Sequence, residues 1–186
     1  MAILMIAKMG NPILARPADK IADPTETRWR TLVEDMKETM VAAGGAGLAA
    51  PQVEVGVQLV IFTVPGEGGI PMTTLINPEI TPLSEETAEG YEACLSVPGL
   101  MGKVPRWTHI SYRGLDLDGQ VIEREARGFH ARVVQHECDH LWGRLYLSRM
   151  SELSSLAYRD EVARLQARAA PEPERENTSV ESKDDR

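Results

Sequence analysis

The chain has 186 residues, 42% of them hydrophobic, which suits one domain around a single core. Its formal net charge is -8 and its Lys and Arg residues are scattered, so a nucleic-acid partner has no basic stripe to bind. Charges and prolines interrupt every apolar run before the roughly 20 residues that cross a bilayer, and the short segment Met1–Gly10 reads as mature protein rather than a leader. The expectation is a soluble cytoplasmic protein with no membrane partner. Its two cysteines, Cys94 and Cys138, are too few for a disulfide framework and suggest a reduced compartment.

In chain order, Asp23-Pro24-Thr25-Glu26 announces a first helix: Asp23 can cap, Pro24 suits the first helical position, and Glu26 can reach back as in a capping box. Trp29, Leu32, Val33, Met36 and Met40 follow at helical spacing, and Gly44-Gly45 ends the helix. Extended segments are predicted over Val57–Val64 and Met72–Ile76, around the turn-rich stretch Pro65-Gly66-Glu67-Gly68-Gly69. Thr108–Leu115 and Gln120–Ala126 read as a hairpin closed by the two-residue turn Asp118-Gly119. A second helix is predicted over Phe129–Leu141, stopping at Gly143. A third, over Ser151–Ala169, would carry Leu153, Leu156, Ala157 and Leu165 on one side. From Pro171 onward the composition is that of a disordered polar tail.

The second helix contains His136-Glu137-Cys138-Asp139-His140. Residues four apart lie nearly above one another on a helix, so His136 and His140 can converge on one metal ion while Glu137 stands beside them, within reach of a water. A catalytic site of this kind needs a third protein ligand, and Cys94, in Glu92-Ala93-Cys94-Leu95-Ser96 between extended segments, is the natural candidate. Cys/His/His is a borderline-soft set that suits ferrous iron, zinc, nickel or cobalt better than magnesium or calcium. Cys138 should point off the metal, and His109 and His130 lack a partner at ligand spacing and read as structural or surface histidines.

Three segments resemble, in order and separation, the motifs of peptide deformylases: Gly45-Ala46-Gly47-Leu48-Ala49-Ala50-Pro51-Gln52, Glu92-Ala93-Cys94-Leu95-Ser96, and Gln135 to His140. Ile3–Leu14, Val97–Leu100, Val104–Arg106 and Gly143–Tyr146 extend the likeness to about Met150. The resemblance implies an α+β fold of antiparallel β-sheets around a central metal-binding helix, with an N-terminal and a C-terminal helix, in one catalytic domain over residues 1–170. It also implies Cys94, His136 and His140 as ligands of one divalent metal, usually Fe2+, with Zn2+, Ni2+ or Co2+ as substitutes.

The activity implied is removal of the formyl group from the N-terminal methionine of nascent polypeptides. Glu137 would accept the proton of the attacking water and hand it to the leaving amine. Gln52 and the backbone N–H of Leu95 would face the oxygen on which charge develops. Gly45 and Gly47 would let the main chain approach an extended peptide. Glu92 is expected in the substrate-binding region, orienting a neighbour rather than taking part in the chemistry, and Arg106 would pair with it or with another acid. A monomer is expected. The substrate's origin suggests the ribosome surface as a partner, although no basic patch argues for it. The sequence departs from the family pattern at Ala93, where glycine is usual, at Met101, where many members carry arginine, and at Ser148, often aspartate. An H-E-x-x-H peptidase would need a third ligand downstream of His140, where none is convincing; a non-catalytic metal module would have no need of Glu137 or Gln52.

Overall fold

A computed structural model describes residues 2–66 and 69–169. In order, these form α1 (Thr27–Ala42), β1 (Gly47–Ala49), β2 (Leu59–Val64), β3 (Ile70–Pro82), β4 (Thr87–Cys94), β5 (Val97–Trp107), β6 (His109–Leu115), β7 (Val121–Arg127), α2 (Gly128–Leu141), β8 (Ala157–Tyr158) and α3 (Arg159–Ala169). The strands make two antiparallel sheets, one ordered β1-β2-β3-β6-β7 and the other β4-β5-β8. The architecture is the expected α+β fold. Among the described residues no helix is long and apolar enough to cross a membrane.

Strand β2 explains where the core sits. Leu59 to Phe62 are all buried, because alternate side chains of a strand point to opposite faces and both faces of β2 are covered. Val60 and Phe62 join Ala131, Val134, Cys138 and Leu141 of α2, whereas Leu59 and Ile61 join Trp29, Val33, Met36 and Met40 of α1. A third cluster, of Cys94, Val97, Val104 and Tyr146, lies beneath the β4–β5 hairpin. Helix α2 therefore has the large sheet on one side and this hairpin on another.

Several boundaries differ from the sequence reading. Helix α1 begins at Thr27 with no side-chain cap, because Asp23 spends its carboxylate on an Asx turn: Oδ1 accepts from Thr25 N at 2.9 Å and Thr25 Oγ1 at 2.6 Å. The β6–β7 hairpin is closed by a three-residue loop, not a two-residue turn. Asp116 N donates to Gln120 O, Gly119 N donates to Asp116 O, and Gly119 takes φ +74 in the left-handed region. The paired strands β4 and β5, unforeseen in the sequence, run through Gly90, Pro98, Gly99, Gly102 and Pro105, residue types that weaken a strand.

The expected helix over Ser151–Ala169 is interrupted. Leu100 and Met101 of β5 pair with Tyr158 and Ala157, so the free edge of the hairpin captures this segment as β8 and α3 starts only at Arg159. Leu153 and Leu165 are 71% and 58% exposed, and the buried residue of α3 is Val162. The polar tail predicted from Pro171 lies outside the described residues, as do Glu67 and Gly68 of the predicted turn.

The exit from α2 depends on a glycine. Gly143 has φ +67, and a Cβ there would meet Arg16 N at 2.6 Å and Ala15 C at 2.7 Å, both backbone atoms. Gly143→Ala is predicted to destabilise the fold by at least about 2 kcal/mol in denaturant titration, since a left-handed residue with a backbone clash has no cheap relaxation.

Candidate metal centre

Helix α2 and the end of β4 build the centre. His136 and His140, one turn apart on α2, present their rings 5.2 Å apart between centroids and nearly perpendicular. Cys94 is the last residue of β4, where the hairpin turns and the register shifts between Ala93 and Cys94. That shift aims the thiol at the helix, and Sγ lies 3.4 Å from Nε2 of His140. The ligand atoms of Cys94, His136 and His140 all fall within 4.8 Å of one another, and all three residues are buried. Nδ1 of His140 is buried without a hydrogen-bond partner. A thiol and two imidazoles so close are poor neighbours without a cation to share, and they fit a divalent metal of borderline softness. A divalent-metal site is thus present, with three protein ligands rather than the four of a closed structural site.

Glu92 orients the first histidine. Its Oε2 is 2.8 Å from Nδ1 of His136, while Arg106 donates to both of its oxygens at 2.9 and 3.0 Å and Arg132 donates to Oε1 at 2.8 Å. Burial alone would raise the Glu92 pKa, but the hydrogen bonds from His136 and Arg106 outweigh it and hold the group at about 2. Burial works against a proton on His136 too, yet hydrogen bonding to Cys94 and Glu92 pushes that group up to about 10. Burial, reinforced by the His136 and Arg106 charges, holds His140 well below its ordinary value. Arg106 then reaches across to α2, donating to Asp139 Oδ2 at 2.6 Å, and Arg149 closes the other side of Asp139 at 2.6 and 3.1 Å. The sequence singled out Arg106 with Glu92. It missed Asp139, Arg149 and Arg132, although Arg132 lies four residues before His136 and so shares its helix face.

Glu137 stands apart from this network. It is buried, its Oε2 has no partner, and burial, reinforced by the nearby Glu92 charge against His136 and Arg106, raises its pKa to about 7. It sits directly against Gly47, where a Cβ would come within 2.4 Å of Oε1. Gly45 is close to Leu95 in the same way, at 2.9 Å from Cδ1. Gln52 is locked from both ends: its Oε1 accepts from Ala49 N at 2.8 Å, and its Nε2 points to Cys94 Sγ at 3.4 Å and Ser96 Oγ at 3.1 Å. Ser96, which closes the second sequence motif without a role assigned to it there, thereby joins the site.

A cavity of about 340 Å³ brings these parts together, with Gly45, Gly47, Gln52, Glu92, Cys94, Leu95, His136 and Glu137 all on its wall. Met101 lines it as well. Cys138, by contrast, is in the apolar cluster under the large sheet, its thiol pushed up by burial. His109 faces Glu125 at 2.9 Å and His130 faces the Tyr112 hydroxyl at 3.1 Å, so neither approaches a ligand set.

The fold and site define a mononuclear metal centre with an unpaired carboxylate beside it, the arrangement of a metal-dependent hydrolase. The family model described as polypeptide deformylase matches residues 3–155. A curated relative, peptide deformylase 1 of Bordetella pertussis, is 54% identical over 159 residues, covering 82% of this chain and 90% of its own. A Met-Ala-Ser-bound class I type b peptide deformylase from Acinetobacter baumannii superposes with TM-score 0.76 at 34% identity, covering 80% of this chain and 99% of that one. The peptide deformylase of Thermotoga maritima gives TM-score 0.76 at 33% identity, with 82% and 100% covered. The chain belongs to the polypeptide deformylase family.

The two cysteines separate cleanly in a metal-content measurement. Cys94→Ala is predicted to lose stoichiometric metal, whereas Cys138→Ala keeps it, at a fold cost no larger than the few kcal/mol of a small core truncation.

Proposed function

We propose that the chain is a peptide deformylase: a metal-dependent hydrolase that removes the formyl group from the N-terminal formyl-methionine of nascent polypeptides and releases formate. The observation that carries this reading is Glu137, a buried and unpaired carboxylate next to a Cys/His/His ligand set on the wall of a cavity edged by Gly45–Gly47. When bound at Cys94, His136 and His140, a divalent cation supplies Lewis-acid activation of water and of a carbonyl oxygen. Ferrous iron is the metal we assign in the cell, with zinc, nickel or cobalt as substitutes suited to the same donors.

The protein's own residues do the rest. Glu137 takes the proton from the water that attacks the formyl carbon and delivers it to the amine nitrogen as the C–N bond breaks. Its free oxygen and its raised pKa, about 7, suit both steps. Gln52 and the N–H of Leu95 stabilise the oxygen on which negative charge grows, with Gln52 held ready by Ala49 and Ser96. Substrate main chain lies extended along Gly45–Gly47, where a side chain would collide with Leu95 or Glu137. Glu92, with both oxygens engaged by His136, Arg106 and Arg132, positions His136 and does not touch substrate. We assign the enzyme to a single catalytic unit over residues 1–170, monomeric and cytoplasmic, meeting its substrate as it leaves the ribosome.

The test is formate release from formyl-Met-Ala-Ser by protein of measured metal content, beside Glu137→Gln. The wild type turns over, while the variant keeps its metal and loses at least about 100-fold in kcat, the scale of a positioned general base. A fully active Glu137→Gln, or metal-replete wild type without turnover, contradicts the reading.

A further inference from the structure

The outer wall of the cavity carries a cation that the chemistry above does not use. Arg159, the first residue of α3, lines the cavity with Tyr91, Met101, Phe129 and Arg132. Of the two arginines there, Arg132 is fully engaged, donating to Glu92 Oε1 and to the carbonyls of Ala88, Gly90 and Val104. Arg159 is exposed and makes no hydrogen bond or ion pair among the described residues. The acids that follow it are occupied elsewhere: Asp160 accepts from the N–H of Glu161, and Glu161 pairs with Arg164.

The placement of Arg159 is fixed by the sheet. Met101 pairs with Ala157 and Leu100 with Tyr158, so β8 runs along the β5 edge and delivers the next residue to the cavity wall. A second cation stands nearby. Lys103, paired with Tyr91 across the hairpin, holds its ammonium 5.6 Å from the Tyr91 ring centroid, on a residue that also lines the cavity. In a chain of net charge -8, the rim beside Tyr91 and Met101 thus carries two cations, Arg159 and Lys103.

We propose that Arg159 is a specificity-determining residue that favours polypeptides with aspartate or glutamate among the first three residues after the methionine, with Lys103 adding to the same field. The inference rests on the deformylase reading and deepens it. An extended chain advances about 3.4 Å per residue, so these side chains lie within about 10 Å of the methionine, and Arg159 shares one cavity with the ligands Cys94 and His136. A remote contact of this kind acts on substrate and transition state alike and therefore shows in KM rather than kcat.

The experiment compares kcat and KM for C-terminally amidated formyl-methionine peptides carrying Glu, Gln or Lys at the second, third or fourth position, so that no terminal carboxylate competes. At the responsive position kcat/KM for Glu exceeds that for Lys by about two- to fivefold, the range of an exposed ion pair, through KM. The preference shrinks in about 0.5 M salt, where exposed charges are screened. Arg159→Lys retains it, Arg159→Ala brings the Glu to Lys ratio close to one, and Arg159→Glu inverts it. Equal rates for Glu and Lys peptides in the wild type, or a preference unmoved by Arg159→Glu, overturn the proposal while leaving the deformylase reading intact. Absence of turnover on every formyl peptide overturns both.

Discussion

Arg106 holds two carboxylates from two different layers of the fold, and the metal centre depends on that arrangement. Its side chain is 5% exposed, and its guanidinium donates to Glu92 on β4 and to Asp139 on α2. Charges so far from water are tolerable only with every partner in place, and removing one member leaves the others uncompensated. The cluster therefore acts as a geometric specification. It sets the depth and rotation at which the β4–β5 hairpin meets the helix, and so whether the thiol at the tip of β4 can reach the two imidazoles. Tyr146, stacked at 6.3 Å and 20° on the His136 ring, covers the same junction with apolar surface.

The remaining parts of the site follow from how closely the layers approach. Gly47 can abut Glu137 only because it has no side chain, and this contact keeps the carboxylate walled in, unpaired and raised in pKa. The local 3-10 turn Ala50–Val53 brings Gln52 back to its own strand at Ala49 and out to Ser96 and Cys94, so the amide is oriented before any ligand arrives. Hydrolysis and substrate selection then occupy different ends of one cavity: the inner end is fixed by buried charge, and the outer end, at Tyr91 and Arg159, is open to whatever follows the first residue of the substrate.

The sequence made the metal helix, its ligands and the first helix legible because helical periodicity and i, i+4 spacing are local signals. Cys94 could be named from its surroundings, but the register shift that aims it is a property of a paired hairpin. The β4–β5 hairpin itself carries no such local signal. Glycine is a poor strand former, yet Gly90 makes room for Arg132 and Gly102 for Met150, contacts that come from elsewhere in the chain. The third helix was overextended for a related reason: the residues from Leu153 to Tyr158 fit a helical pattern, and only the open edge of β5 draws Ala157 and Tyr158 into a strand. Asp139, between two histidines, gives no sign in the sequence of the buried Arg106 that pairs with it.

The Glu92–Arg106–Asp139 cluster, acting through the Glu92 bond to His136, holds the ligand set in binding geometry. Its most direct test is the metal dissociation constant of Glu92→Gln, measured by chelator competition at a temperature where circular dichroism shows both proteins folded. The expected result is a loss of affinity of about 10- to 100-fold with Cys94, His136 and His140 all still present. An affinity equal to that of the wild type would contradict it, and would mean that the helix and the hairpin assemble the centre without help from the buried charges.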